Sequence, residues 1–518
     1  MSRTKKFIKN SMSTGILQIV TFTLGLITSR IMLSCYGSEI NGLVSSINQL
    51  ITYANLVEAG LSGAAIYALY APLANENKRE INNIVAATNK YYIQTGAIFS
   101  TIVLALAILY PQIVNVTVLS KWQTSILVAV LGLSGAISFF ISAKYRALFT
   151  ADQKQYILSY STILAVILNT LLVIIFGKGL RINITLLRFF VAMTSVVPVF
   201  VYLIYTKKNY PYIDLKNAGE YKLKSRYTVF INEIFGSIHF GSPIIIITAL
   251  CSLLEVSVFS VYKVVFSGIN SICNALILPM SASFGETLSI KDRRPFKRGY
   301  SEFEMMYYAV STVIYSCAGV LILSFVSIYT SGVTDINYLQ PSMALLFTID
   351  ATIANLYGPQ AVLVRAGGLF KEVRTQTILQ ACITIVLGII LTKSIGMQGM
   401  LVASAISNTI RVVLIIRLIH NQNYGVSIKQ TIKRIVVSIV AMIIIILPFA
   451  CGNYLQALSF LQIHASNYLQ WALCAIQVTL YAILVCFIAF YLTDKNTLVQ
   501  FGKRIVSVIF GKKEKQNE

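Results

Sequence analysis

The chain has 518 residues, of which 56% are hydrophobic and only 12% charged, with a mean hydropathy of +0.73. A soluble chain carries about a quarter charged residues, so a deficit sustained over the whole length excludes a soluble globular protein and indicates a polytopic membrane protein. In that setting the net charge of +23 reflects basic cytoplasmic loops rather than nucleic acid, for which no binding motif is present.

The N-terminal "MSRTKKFIKN" leads into an apolar run too long for a signal-peptide core and without a small-residue cleavage site, so the first span, 12–33, is expected to be retained. Further spans are predicted at 46–68, 93–113, 124–143, 156–177, 184–205, 228–249, 257–281, 305–326, 341–362, 376–394, 399–419, 435–451 and 468–493, fourteen in all. With alternating spans, 33 of the 42 Lys and Arg fall on the side of the N-terminus, in stretches such as "NKREIN", "KYRALFTADQK" and "KDRRPFKR". Only Lys121, Lys178 and Arg181 fall in loops on the other side. This asymmetry predicts that both termini are cytoplasmic. Eight single cysteines, with no CxxC pair, give neither a disulfide framework nor a metal signature.

The longest connection on the basic side, 206–227, follows the sixth span. "YGSEINGLVSSINQL" (36–50) resembles "SLLEVSVFSVYKVV" (252–265), and "ADQKQYILSYSTILAVILN" loosely echoes "FKEVRTQTILQACITIVLG". An even number of spans per repeat makes the repeats parallel. The expected fold is therefore an all-α integral membrane protein with two parallel six-helix lobes around a central cavity plus two C-terminal helices. The N-terminal lobe is 1–205, a cytoplasmic linker 206–227, the C-terminal lobe 228–419, and the last two helices with a cytoplasmic tail 420–518.

Besides Lys393, at the very end of its span, five cations lie inside predicted spans: Arg30, Arg188, Lys263, Arg411 and Arg417. Arg417 sits near an end and can snorkel, whereas the other four cost roughly 2.5–3.5 kcal/mol each at mid-membrane and must face protein or water. They either pair internally with Glu58, Glu233 or Asp350, or form an anion path. On the second span Asn41, Ser45, Asn48, Thr52, Asn55 and Ser62 follow helical spacing beside Glu58, and on the eighth Lys263, Ser267, Asn270 and Asn274 repeat the pattern. Such stripes serve either helix–helix hydrogen bonding or a watery cavity. A cationic, asparagine-lined cavity suits an anionic, hydroxyl-rich cargo, because arginine binds phosphate oxygens bidentately. The site expected on these grounds is Arg30, Arg188, Lys263 and Arg411 for the anionic group, lined by Asn41, Asn48, Asn55, Glu58, Glu233, Asn270 and Asn274. His239 is either a proton sensor or a hydrogen-bonded structural histidine. No catalytic triad, Walker loop, paired-carboxylate site or cofactor motif is legible.

The segment "SRIMLSCYGSEINGLVSSINQLITYANLVEAGLSGAAIYALYAPLANENKREIN" resembles the start of bacterial polysaccharide (O-antigen-type) flippases of the multidrug/oligosaccharidyl-lipid/polysaccharide (MOP) exporter superfamily. The arginine before "YG", the "INGL" segment and "EAGL" carry the resemblance, which is strongest over residues 1–100. It implies a non-enzymatic, cofactor-free flippase of undecaprenyl-diphosphate-linked oligosaccharide in the bacterial cytoplasmic membrane. It further implies Arg30 as a diphosphate ligand, with H+ or Na+ as candidate coupling ion and a polysaccharide polymerase as candidate partner. Multidrug antiporters usually place an acid in the first helix, which is absent here. Lipid II flippases usually show Arg-x-x-Gly, whereas Arg30 is followed by Ile-Met-Leu. A polymerase would carry a large outer loop, and the outer loops here are short.

Overall fold

The computed structural model describes residues 3–59, 61–215, 219, 221, 227–288, 294–422, 424–455 and 465–509. Parts of the expected linker (216–218, 220 and 222–226) and the basic tail from 510 onward lie outside the described residues. Among the described residues every regular element is helical. Twelve helices among the described residues are long and apolar enough to cross a membrane.

The first of these, α1 (Arg3–Ala54), holds two arms, because Gly37 adopts a left-handed φ of +79° with ψ 175° and breaks the 52-residue helix. An unbroken helix of that length would span about 78 Å, more than twice a bilayer core. Both arms of α1 and the short pair α12 (Pro341–Asn355) and α13 (Gly358–Ala366) bring the crossings to the fourteen expected.

Three expected spans are interrupted rather than continuous; the sixth has only a turn at Thr194 and Ser195, between helices Ile184–Met193 and Val196–Asn209. The second runs from the arm of α1 that follows Gly37 (38–54, the outer arm) into a 3₁₀ turn, Asn55–Glu58, and an extended Ala59 (φ −52°, ψ 131°) before α2 (Leu61–Ala74) resumes. The tenth breaks between α12 and α13, where Pro359 has no N–H to continue the ladder and is placed in the first turn of the new helix. Elsewhere helices overrun the membrane. Helices α3 (Lys78–Ile113), α10 (Leu253–Leu288) and α11 (Arg294–Tyr329) each have 36 residues, about 54 Å of helix. The fourth span, α4 (Lys121–Ile137), passes through a π-turn at Ser138–Ser142 into α5 (Ala143–Ala151). The exterior is that of a membrane protein, with Ile108, Ile113, Trp122, Leu469 and Leu492 each more than 60% exposed.

Contacts divide the chain into two compact units, Met1–Ser260 with Gly332–Ile336, and Val261–Ser331 with Asn337–Glu518. In the first unit one apolar cluster joins Ile40, Leu43, Ile47 and Ile51 of α1 to Tyr92, Phe99, Leu127 and Leu187. A second cluster at one end gathers Ile84, Phe149, Tyr202 and Tyr210. Beside it Tyr210 donates to Asp152 (2.6 Å), and Lys154 bonds both the Tyr210 hydroxyl (2.9 Å) and the Asp152 carboxylate (2.9 Å). Burial, then Asp152, hold the Tyr210 hydroxyl well above the usual phenol range, so it remains a donor.

In the second unit Arg434 of α16 (Ile428–Leu455) is 2% exposed and meets Glu304 of α11 at 2.7 Å and Asp494 at 2.6 Å. Asp494 sits at a break (φ −140°) in α17 (Tyr468–Ile509). This buried triad fixes the last two helices to α11.

Loop contacts agree with alternating crossings. Ends expected on the basic side meet each other: Asn10 donates to the Gln153 carbonyl (2.7 Å), the Asp214 backbone donates to Asn82 (2.8 Å), and Arg504 donates to Glu302 (3.1 Å). Ends expected on the other side do likewise: Tyr36 donates to the Ile182 carbonyl (2.7 Å) and Gln398 to Ser342 (2.8 Å).

Candidate functional site

The outer arm of α1 is two-faced. Ile40, Leu43, Val44, Ile47, Ile51 and Ala54 are buried at the helical spacing of a core face. Around the helix, Asn41 and Ser45 are half-buried, and Asn48, Thr52 and Asn55 are exposed. Near its start the stripe packs, since Asn41 donates to Ser257 at 2.7 Å. Further along it opens. An exposed amide on an otherwise apolar crossing helix must meet water or a polar ligand, because lipid offers no hydrogen-bond partner.

The open stretch ends at Glu58. Its carboxylate accepts from the Tyr92 hydroxyl (2.8 Å) and pairs with Arg146 of α5 at 3.4 Å. Glu58 is thus neutralised by a cation that the sequence reading placed in a basic loop. Arg30 lies half-buried on the other arm of α1, and Arg188 on α7 (Ile184–Met193) is half-buried with its Nε enclosed and unbonded. Arg188 is close enough to Tyr36 to act on it electrostatically. Glu233, on α9 (Tyr227–Leu250), is exposed. His239 on the same helix is buried, 4% exposed, against Phe240.

In the second unit, α10 carries the counterpart stripe. Ser267 and Asn274 are exposed and Lys263 is half-buried. Asn270 is used in packing: it accepts from the Tyr315 hydroxyl and from Asn355 (2.9 Å). Arg411 of α15 (Met397–Asn421) begins a relay. It donates to Gln380 (2.6 Å) of α14 (Arg374–Ile395), Gln380 donates to Asn408 (2.6 Å), and Asn408 donates to Asp350 of α12 (2.8 Å). The Arg411 guanidinium also stacks 4.7 Å from the Tyr357 ring centroid, while its Nε is buried and unbonded. Among the described residues no cluster of His, Cys, Asp and Glu could hold a metal ion.

No protein-family model matches the chain, and no curated protein does. Solved structures do. A multidrug resistance MATE family transporter of the MOP superfamily, in an inward-facing conformation, superposes with a TM-score of 0.62 at 13% identity, covering 81% of this chain and 99% of its own. The lipid II flippase MurJ, in an inward closed conformation, superposes with a TM-score of 0.61 at 16% identity, covering 93% of this chain and 99% of its own. An outward-facing MATE transporter gives 0.54 at 13% identity over 82% of this chain and 97% of its own. The fold is that of the MOP-superfamily transporters.

Within this MOP fold three groups escaped the sequence reading. Arg146 was hidden because Lys144 and Arg146 looked like loop charges, whereas the helix runs on through both to Ala151. Gln380 and Asn408 stand 28 residues apart on helices that the 3.6-residue pattern treats separately, so their bond leaves no local signal. Asp335 lies in a short connection outside any span, and its partner is 297 residues away.

Proposed function

We propose that this chain flips lipid-linked oligosaccharide repeat units, undecaprenyl-diphosphate sugars, from the cytoplasmic to the outer leaflet by alternating access, for surface polysaccharide synthesis. No bond of the cargo is made or broken, so the protein is a transporter and not an enzyme. The observation that carries this reading is the exposure of Asn48, Thr52 and Asn55 along one face of a crossing helix whose opposite face is buried. Those amides and hydroxyls match sugar hydroxyls in donor and acceptor chemistry. Arg30, Arg188, Lys263 and Arg411 are the proposed diphosphate ligands. The buried, unbonded Nε atoms of Arg188 and Arg411 are donors that a phosphate oxygen would satisfy. The similarity to a lipid flippase over 93% of the chain, against 81% for the first MATE match, supports a lipid-linked cargo.

The protein would reside in the bacterial inner membrane with both termini cytoplasmic, built of an N-terminal lobe (1–205), a cytoplasmic linker (206–227), a C-terminal lobe (228–419) and two further helices with a cytoplasmic tail (420–518). A polysaccharide polymerase would receive the cargo. A second reading, a cation-coupled multidrug antiporter, is favoured by Asp350, a membrane carboxylate linked through Asn408 and Gln380 to Arg411. Deletion of the chain in its host separates the two. The flippase reading predicts accumulation of inward-facing lipid-linked oligosaccharide and loss of surface polysaccharide, both restored by complementation. Unchanged surface polysaccharide with increased drug sensitivity would establish the antiporter instead.

A further inference from the structure

The polar face of the outer arm does not end at Asn55. Asn55–Glu58 is a 3₁₀ turn, in which residue i+3 sits directly over residue i, so Glu58 continues the line of Asn48, Thr52 and Asn55. One carboxylate oxygen of Glu58 is held by the hydroxyl of Tyr92 (2.8 Å), a residue 1% exposed in the apolar cluster of the first unit. Arg146 meets the same carboxylate, but loosely. Only Nη2 takes part, at 3.5 and 3.4 Å from the two oxygens, against about 2.7–2.9 Å for a well-made guanidinium–carboxylate bond. Nε and Nη1 of Arg146 bond no described residue.

The setting of Arg146 shows where those donors face. From Ala143 to Phe149, α5 is buried at every residue except Arg146, and α2, α3 and α6 (Gln155–Leu172) pack around it. The Arg146 side chain is nonetheless 40% exposed, and that of Glu58 23%. A helix enclosed by its neighbours has no flank on lipid, so the exposed part of the guanidinium opens where Glu58 does, at the end of the polar face. Lys144 of the same helix is buried and donates to Asn89 (2.6 Å), with no carboxylate partner among the described residues. Lys144 and Arg146 thus share one paired carboxylate, Glu58. A surplus of positive charge in a largely buried setting favours the approach of an anion.

We propose that Arg146 is a further ligand for the cargo diphosphate, at the end of the polar face nearer the basic loops, with Glu58 as a built-in placeholder for the anion. Tyr92 fixes the carboxylate, while the guanidinium can turn away from it and offer its planar fork to two phosphate oxygens. The sugars then lie along Asn55, Thr52 and Asn48. This rests on the flippase reading. An anionic phospholipid headgroup brings the same phosphate-ester chemistry. The diphosphate of a lipid-linked sugar is favoured because amides and a hydroxyl, which suit sugars and not acyl chains, continue from the cation.

The test is lipid binding by the purified full-length protein in a neutral detergent, read by native mass spectrometry. Undecaprenyl diphosphate is the probe and phosphatidylglycerol the comparison. Arg146→Gln should weaken binding of the diphosphate on the order of ten-fold, the loss of one charged hydrogen-bonding partner. Arg146→Lys, which keeps the charge without the fork, should weaken it less. Glu58→Gln can still accept from Tyr92 but no longer competes for Arg146, so it should tighten binding. In an Arg146→Gln background the same Glu58 change should have no further effect. Misfolding does not produce tighter binding, so the Glu58 result stands even if Arg146→Gln proves unstable. Weaker or unchanged binding in Glu58→Gln would make the pair structural and overturn the proposal. Unchanged binding in Arg146→Gln, or an equal dependence of phosphatidylglycerol binding on both residues, would overturn it too. A parent protein that does not bind undecaprenyl diphosphate would bring down the flippase reading and this ligand together, whereas parent binding that ignores Arg146 removes this residue alone.

Discussion

Gly42 lets the outer arm of α1 lie directly on the start of α10. A Cβ at that position would overlap the Leu253 carbonyl, and the neighbouring Asn41 bonds Ser257 at 2.7 Å. The "INGL" segment thus combines a glycine that admits a backbone with an asparagine that ties it down. Gly42→Ala should destabilise the protein by about 1–3 kcal/mol through overpacking, read as a lowered unfolding midpoint in detergent. Arg30 should behave differently, because removing it makes its span more apolar. Arg30→Ala should insert and fold normally but lose function, and Arg30→Lys, which keeps the charge without the fork, should retain part of it. Complementation of surface polysaccharide, scored against membrane protein level, checks both variants. Normal polysaccharide with Arg30→Ala would remove Arg30 from the diphosphate site.

Among the elements, the last two helices depend on one buried cation. Arg434 bonds Glu304, Asp494 and Ser301, while Thr431 and Gln360 complete the shell around Glu304. Arg434→Ala strands two carboxylates and should cost about 3–5 kcal/mol, with α16 and α17 becoming susceptible to limited proteolysis before the remainder. This triad was not legible in the sequence, because its members are 130 and 60 residues apart and each sits among ordinary surface-type charges. The crossings were legible because length, apolarity and the side of the basic residues agree along the whole chain. The breaks at Ala59 and before Gly358 were not, since the apolar composition continues straight through them. The stripe on α1 was legible from spacing alone. Its counterpart on α10 was legible as a face but not in its use, because whether Asn270 packs or faces water depends on Tyr315 and Asn355, 45 and 85 residues distant.

At the scale of the whole molecule, the charge asymmetry and the loop contacts point to one arrangement across the membrane. A tag inserted at Glu76 should be cytoplasmic, and Thr334→Cys should react with an impermeant reagent from outside. The reverse pattern would invert the orientation and with it the direction of transport. The central claim is that lipid-linked diphosphate oligosaccharide crosses the membrane through this chain, and reconstitution tests it most directly. Purified protein in liposomes carrying undecaprenyl-diphosphate oligosaccharide in both leaflets is exposed to a sugar-modifying enzyme that cannot enter. If the chain is the flippase, the inner-leaflet pool becomes accessible with wild-type protein, and stays protected with Arg30→Ala and in protein-free liposomes. An inner pool that stays protected with wild-type protein, in liposomes where the same preparation moves a cationic drug against an imposed ion gradient, would contradict the account.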